Sequence, residues 1–304
     1  MKIGNAFYIK LGRGGKWEAD SISSGKLRFG WPDQSLEDIN SGNWTKIEEQ
    51  LRHSFTNLQS QATRALNGLR LICTSTSSDI WITFYQAKLW WARLSTEPVD
   101  NDLLSKYRTT SSPWSDKNLQ ERLLVASELP GKIAQLQAFR WTTCTVQHKD
   151  VLQRILEGRS SPSAQAIALQ RNLLANRLTE AIQELHWKDF EILVDLVFRA
   201  SGWLRISVLG QQAKAYDLEL REPISGDRFI VQVKARAGLN ELKETLSHFS
   251  SEDYRRIFFV VHSPTRELSR ADDLPNNIEL ISPEVLAQRV IDAGLVAWLE
   301  EKVS

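Results

Sequence analysis

The stretch Tyr216-Asp-Leu-Glu-Leu-Arg-Glu-Pro-Ile-Ser-Gly-Asp-Arg-Phe-Ile-Val-Gln-Val-Lys234 decides how this chain is read. Two alternating runs flank the turn Ser225-Gly226-Asp227, which predicts an antiparallel β-hairpin. Successive side chains of a strand point to opposite faces, so Val231 and Val233 share one face while Gln232 and Lys234 share the other. Leu218 and Leu220 likewise face away from Asp217 and Glu219. A register that sets the leucines beside the valines sets Asp217 beside Gln232 and Lys234, and a slip of one residue would undo it.

Such a group suits phosphodiester hydrolysis, a very slow reaction that divalent ions assist by neutralising developing charge. Asp217 is a hard oxygen ligand for Mg²⁺ (or Mn²⁺), and the Gln232 amide oxygen is a weaker, neutral one. Lys234 supplies a point charge to hold the scissile phosphate and orient the attacking water. Glu191, on the preceding helix, is within reach of the same ion directly or through water. Magnesium keeps several waters and needs few protein ligands, so one strong carboxylate with helpers is sufficient. Glu219 shares Asp217's face as a lesser candidate, and His186, His248 and His262 lack metal-ligand spacing.

Working outward, Phe190, Leu193, Val194, Val197 and Phe198 form a helical stripe ended by Ser201-Gly202. Strand-like runs follow at 204–209, 215–220 and 229–235, then a helix at 238–249, an apolar strand at 257–262 and a helix at 283–293. An apolar strand between helices implies burial on both faces, as in a mixed α/β sheet. Residues 149–186 read as a helical connector broken at Ser160-Ser161-Pro162-Ser163. The part before it contains most of the tryptophans, which marks it as a separate domain. There, 6–11 reads as a strand, 44–70 as one helix with Ile47, Leu51, Phe55 and Leu58 on a stripe, and 79–85 with 88–94 as a hairpin through Gln86-Ala87. Residues 107–116 read as a loop. The expected organisation is 1–148, 149–186 and 187–304, an α+β domain, a connector and an α/β domain.

Composition is that of an ordinary globular chain: 304 residues, 42% hydrophobic and 25% charged. The net charge of +1 excludes a global polycation, although the part up to Asp150 carries a small basic excess and the remainder an acidic one. No apolar run approaches the ~20 residues of a spanning helix, and the first residues lack the apolar core of a signal peptide. No membrane association and a cytoplasmic location are therefore expected. Cys73 and Cys144 are too few for a disulfide framework and read as core thiols.

The segment from Trp187 to about Val261 resembles the PD-(D/E)XK nucleases, and within them the Mrr-type restriction endonucleases. The resemblance rests on Phe190-Glu191, Gly202-Trp203, Asp217 and Gln232-Val233-Lys234, Gln standing where most of the superfamily has an acidic residue. Gly210-Gln-Gln-Ala-Lys-Ala-Tyr216 departs from the Gly- and Asp-rich loop common in that family. Residues Phe7 to Glu18, Leu27 to Trp31 and Asp79 to Trp91 make the first domain similar to PUA-like or EVE-like domains. That resemblance implies a β-barrel with helices that captures a modified nucleobase extruded from the duplex. Base–aromatic stacking returns ~1–3 kcal/mol per base, which roughly offsets an extrusion cost of a few kcal/mol.

Trp17, Trp31, Trp81, Phe84 and Trp90 are the candidate walls, with Thr83 and Asp79 near the base edge and Arg13, Lys16 and Arg28 on phosphates. Ile80 and Ile82 are the better core residues of their strand, which turns Trp81 outward or into a pocket. The combined expectation is a modification-dependent endonuclease acting on double-stranded DNA in defence against foreign DNA, a homodimer at least on DNA. Three rivals stand beside it: a base reader with an inactive nuclease fold, an RNA-binding PUA protein, and a structure-specific nuclease.

Overall fold

The structure, a computed structural model, describes residues 1–55, 59–206, 216–248, 254–271 and 274–304. Expectations placed on Leu58, on 207–215 and on Phe249 lie outside the described residues. The chain divides into two compact units, 1–161 and 162–304.

The first unit runs β1 (Ala6–Ile9), α1 (Glu18–Ser24), β2 (Lys26–Phe29), α2 (Leu36–Ser41), α3 (Trp44–Ser54), α4 (Gln59–Thr74), β3 (Ile80–Tyr85), β4 (Lys88–Ala92), β5 (Asp100–Asn101), β6 (Lys106–Thr109), α5 (Gly131–Ala134), β7 (Thr143–Thr145) and α6 (Lys149–Leu156). Its strands make two open sheets, β4-β3-β1-β7 and β2-β6-β5, and the described residues form no closed barrel. Both faces of the larger sheet are covered. Ile80 and Ile82 of β3 enter one core with Tyr8, Leu89 and α6, whereas Trp81 enters the other with Phe7, Phe29 and the α3–α4 pair. The expectation that Trp81 turns outward or into a pocket is thus corrected: it is 0% exposed and enters a core.

Two further expectations change. The stretch 44–70 is two helices rather than one, with Ile47 and Leu51 of α3 packing into the same core as Leu66, Leu69 and Ile72 of α4. Residues 106–109 are a strand, not loop, and its cations point inward. Arg108 is buried and donates to the carbonyls of Ile72 (3.1 Å) and Ser75 (2.8 Å) at the end of α4, where helical partners run out, and to that of Ser95 (2.7 Å) beyond β4.

The second unit runs α7 (Pro162–Glu184), α8 (Trp187–Ala200), β8 (Leu204–Arg205), β9 (Leu218–Arg221), β10 (Arg228–Ala237), α9 (Leu239–Ser247), β11 (Arg256–Pro264), α10 (Arg266–Ser269), β12 (Ile278–Ile281), α11 (Pro283–Asp292) and α12 (Val296–Val303). The sheet order is β12-β11-β10-β9-β8, with β10, β11 and β12 parallel and β8 and β9 antiparallel, the mixed sheet that the hydrophobic patterning implies. One face, carrying Phe229, Val231, Val233, Phe258 and Val260, packs on α7, α8, α11 and α12. The other carries Phe259 and Val261 against Leu242 of α9 and Leu268 of α10. The expected connector is therefore shared out: α6 puts Leu152 and Leu156 into the first unit's core, and α7 puts Leu178 and Ile182 into the second's. Among the described residues no helix is long and apolar enough to cross a membrane.

Because Phe259 is fully buried at the centre of the second unit's smaller core, Phe259→Ala is expected to destabilise by about 3–5 kcal/mol. A lower denaturant midpoint at unchanged slope is the readout.

Candidate active site

The hairpin register places the site. Leu220 pairs with Phe229 and Leu218 with Val231, so the leucines lie beside apolar partners and Asp217 falls next to Gln232. Asp217 Oδ2 accepts two hydrogen bonds from β10, from the Gln232 side-chain amide (2.5 Å) and from the Val233 backbone N–H (2.6 Å). The Asp217 N–H donates in turn to the Val231 carbonyl (3.2 Å). These bonds pin one carboxylate oxygen to the strand and leave Oδ1 without a hydrogen bond among the described residues. In the parallel ladder Gln232 and Lys234 sit beside Phe259 and Val261, which places both on the α9 side of the sheet. Glu191 follows Phe190 on α8, whose buried stripe (Phe190, Leu193, Val194) is anchored in the core; Phe190 meets His262 edge-on at 5.0 Å between ring centroids.

Residues 182–290 match the Mrr_cat family of restriction endonucleases. Two solved structures are similar to most of the chain at low identity. The DNA modification-dependent restriction endonuclease AspBHI is 12% identical with a TM-score of 0.34, covering 91% of this chain and 79% of its own. The MspJI restriction endonuclease in complex with a 27-mer oligonucleotide is 12% identical with a TM-score of 0.25, covering 80% and 68%. No curated protein matches.

The electrostatics of the segment that matches Mrr_cat join the same residues. Asp217 is accessible as a residue, yet loss of hydration where its carboxyl tucks against β10 pushes its pKa up, opposed by the Val233 N–H, the Lys234 charge and the Gln232 amide. Burial also pushes Glu191 up, and the negative charge of Asp217 adds to that push. Two carboxylates that resist ionisation beside one another are stabilised by a cation. The described residues hold no cluster of three His, Cys, Asp or Glu side chains suited to a metal ion. Two carboxylates and an amide oxygen together would be a donor set that fits a hard divalent ion retaining water. Glu219 is not part of this set: it is buried, accepts from Tyr216 Oη (2.9 Å) and Arg228 Nε (2.7 Å), and ties the hairpin's far side.

In the first unit the structure sorts the aromatic and basic candidates into two groups. Arg13, Lys16 and Trp17 line one cleft of about 370 Å³ together with Lys10, Arg140 and Trp141. Trp31 lines a neighbouring cavity of about 760 Å³ with Trp141, Arg64 and Gly68, and Gly30, Trp141 and Thr142 border both. The other candidates line neither. Trp81 is buried and donates to Ser75 Oγ (3.2 Å), Phe84 packs on Tyr8, and Trp90 donates to the Tyr85 carbonyl (3.2 Å) against the core. Arg28 is 2% exposed and held by Asp20 and by both oxygens of Asp102 (2.8 and 2.9 Å), so no phosphate can reach it. Thr83 is buried, and Asp79 accepts from the backbone N–H groups of Asn5 (2.6 Å) and Thr76 (2.7 Å), bracing a loop. Sequence reasoning missed Trp141, whose ring carries the Arg64 guanidinium at 4.5 Å, because nothing periodic surrounds it.

A pH dependence follows from the raised carboxyls. Only the ionised forms would hold a cation, so apparent affinity for Mg²⁺ or Mn²⁺ should fall with decreasing pH, starting above the ordinary carboxylate range (about 4). Linkage gives the opposite sign for folding: these groups bind protons more readily folded than unfolded, so their contribution to stability declines as pH rises through the same window. Metal titrations of the wild type and Asp217→Asn between pH 5 and 8 check this, the variant losing the dependence contributed by Asp217.

Proposed function

We propose that this protein is a modification-dependent DNA endonuclease: the second unit hydrolyses the phosphodiester backbone with Mg²⁺ or Mn²⁺, and the first unit captures a modified base extruded from double-stranded DNA. The observation that supports the reading best is the pinned carboxylate of Asp217, with Gln232, Lys234 and Glu191 around it, inside the Mrr_cat segment. Asp217 Oδ1, the Glu191 carboxylate and the Gln232 amide oxygen would hold the ion, which supplies positive charge beside the scissile phosphate.

The protein's own contributions are positional. Asp217 is kept in one orientation by two donors, so its free oxygen faces the phosphate site without reorganisation. The Gln232 amide spends its N–H on Asp217 and leaves its oxygen for the ion. The Lys234 ammonium neutralises a non-bridging phosphate oxygen and orients the water that attacks in line. Cutting both strands requires two such sites, so a homodimer forms at least on DNA. The chemistry serves restriction of foreign DNA in the cytoplasm.

The test incubates the full chain with Mg²⁺ and plasmids containing unmodified or modified cytosines. Cleavage of modified DNA is expected, and Asp217→Ala or Lys234→Ala should reduce it by at least about 10³-fold while duplex binding stays within twofold or so. Intact DNA under all conditions would favour a reader with an inactive nuclease fold. Preferential RNA binding, or cutting of branched substrates regardless of modification, would replace the reading with an RNA-binding or structure-specific one.

A further inference from the structure

Trp31 adopts φ +63°, a left-handed conformation that is strained for a bulky side chain and persists only where its surroundings over-determine it. Lys106 supplies that determination. Its Nζ donates to the carbonyls of Trp31 (2.8 Å) and Pro32 (3.0 Å) from a position only 7% exposed. Burying an ammonium is costly unless it is fully bonded, and here its donors go to the strained turn. Beside the outer edge of the indole lies a second unfavourable local choice, Gly68 in the middle of α4. A Cβ there would lie 3.1 Å from Thr143 Oγ1 and 3.5 Å from the Trp31 ring. An inward lysine thus holds the backbone of a left-handed tryptophan, and a mid-helix glycine lies beside its ring, at the edge of the 760 Å³ cavity.

The size and chemistry of that cavity narrow its ligand. About 760 Å³ lies within the range that accommodates a drug-sized molecule. A pyrimidine bearing a single methyl group is much smaller and would leave most of the wall without partner atoms. The remaining lining is mostly apolar, with Phe55, Leu71 and Phe139, and Gln61, Asn67 and Thr145 set hydrogen-bonding groups among them. The adjoining cleft carries Lys10, Arg13, Lys16 and Arg140, none of them ion-paired among the described residues, beside the three-residue border the two cavities share.

We propose that the cavity takes a nucleobase bearing a bulky, hydroxyl-rich substituent, stacked on Trp31, with its flanking phosphate in the basic cleft and Lys106 as the positioning residue for the indole. The proposal deepens the base-reading half of the proposed function and rests on it. Binding is measured by fluorescence anisotropy of the full chain in EDTA, so cleavage plays no part. The probes are short duplexes with one cytosine, 5-methylcytosine, 5-hydroxymethylcytosine or glucosylated 5-hydroxymethylcytosine.

The glucosylated duplex is expected to bind at least about tenfold more tightly than the methylated one, as two or more added hydrogen bonds would give. Trp31→Ala and Lys106→Met should each remove that preference, while Trp31→Phe, which keeps a stacking face, should retain it. Should Trp31→Ala fail to fold by thermal melting, Trp141→Ala carries the same expectation from a partly solvent-exposed position. A methylated duplex bound as tightly as the glucosylated one, or a preference that survives in folded Trp31→Ala or Trp141→Ala, overturns the proposal. A preference that survives in Lys106→Met removes the lysine's role. Equal binding of all four duplexes instead sinks base reading altogether, and leaves the nuclease reading to the cleavage assay.

Discussion

The pairing of Leu218 with Val231 is the constraint on which the rest of the second unit's chemistry depends. Because strand side chains alternate with a period of two, this pair settles the face of every residue in the hairpin. Burial enforces it: a slip by one would bring Asp217 and Glu219 onto the face that packs on α7, α8, α11 and α12 and expel the leucines. The hydrophobic core therefore acts as the alignment device for the polar site. The Val233 N–H then holds Asp217 by a group that no substitution other than proline removes.

The first unit solves a related problem with buried cations. Lys106 and Arg108 alternate with Tyr107 on β6, and both point inward to backbone carbonyls. Arg28, on the neighbouring strand β2, is equally buried but is neutralised by Asp20 and Asp102. The pairing chemistry differs with the partner. Carboxylates raise the Arg28 pKa, whereas Arg108 and Lys106, which meet carbonyls, are lowered by loss of hydration. Strands of this composition ordinarily face water, so their inward orientation reflects what the fold leaves unsatisfied at the end of α4 and around Trp31.

Much of the second unit was legible because its signals are local and redundant. The turn Ser225-Gly226-Asp227, the alternation on either side of it and the apolar run of β11 each specify the same sheet, and Asp217, Gln232 and Lys234 come together as that sheet requires. Glu191 was the least legible of the four, since a polar position on a helix surface carries no directional signal. In the first unit the hairpin of β3 and β4 was equally plain. The aromatic candidates were not, because a tryptophan on a strand has the same local pattern whether it lines a core or a cavity. Trp81 went to a core because helices cover both faces of its sheet, and Trp31 to a cavity because a lysine 75 residues away holds its backbone.

By itself the sequence determined the elements, the mixed sheet of the second unit and the face on which its catalytic candidates lie, since those follow from periodicities of a few residues. Only the tertiary structure decided which tryptophans border open space, which cations are buried, and where the connector divides between the units. Those outcomes depend on groups far apart in the chain competing for the same hydrogen-bond partners and the same buried volume, and no local pattern records who wins.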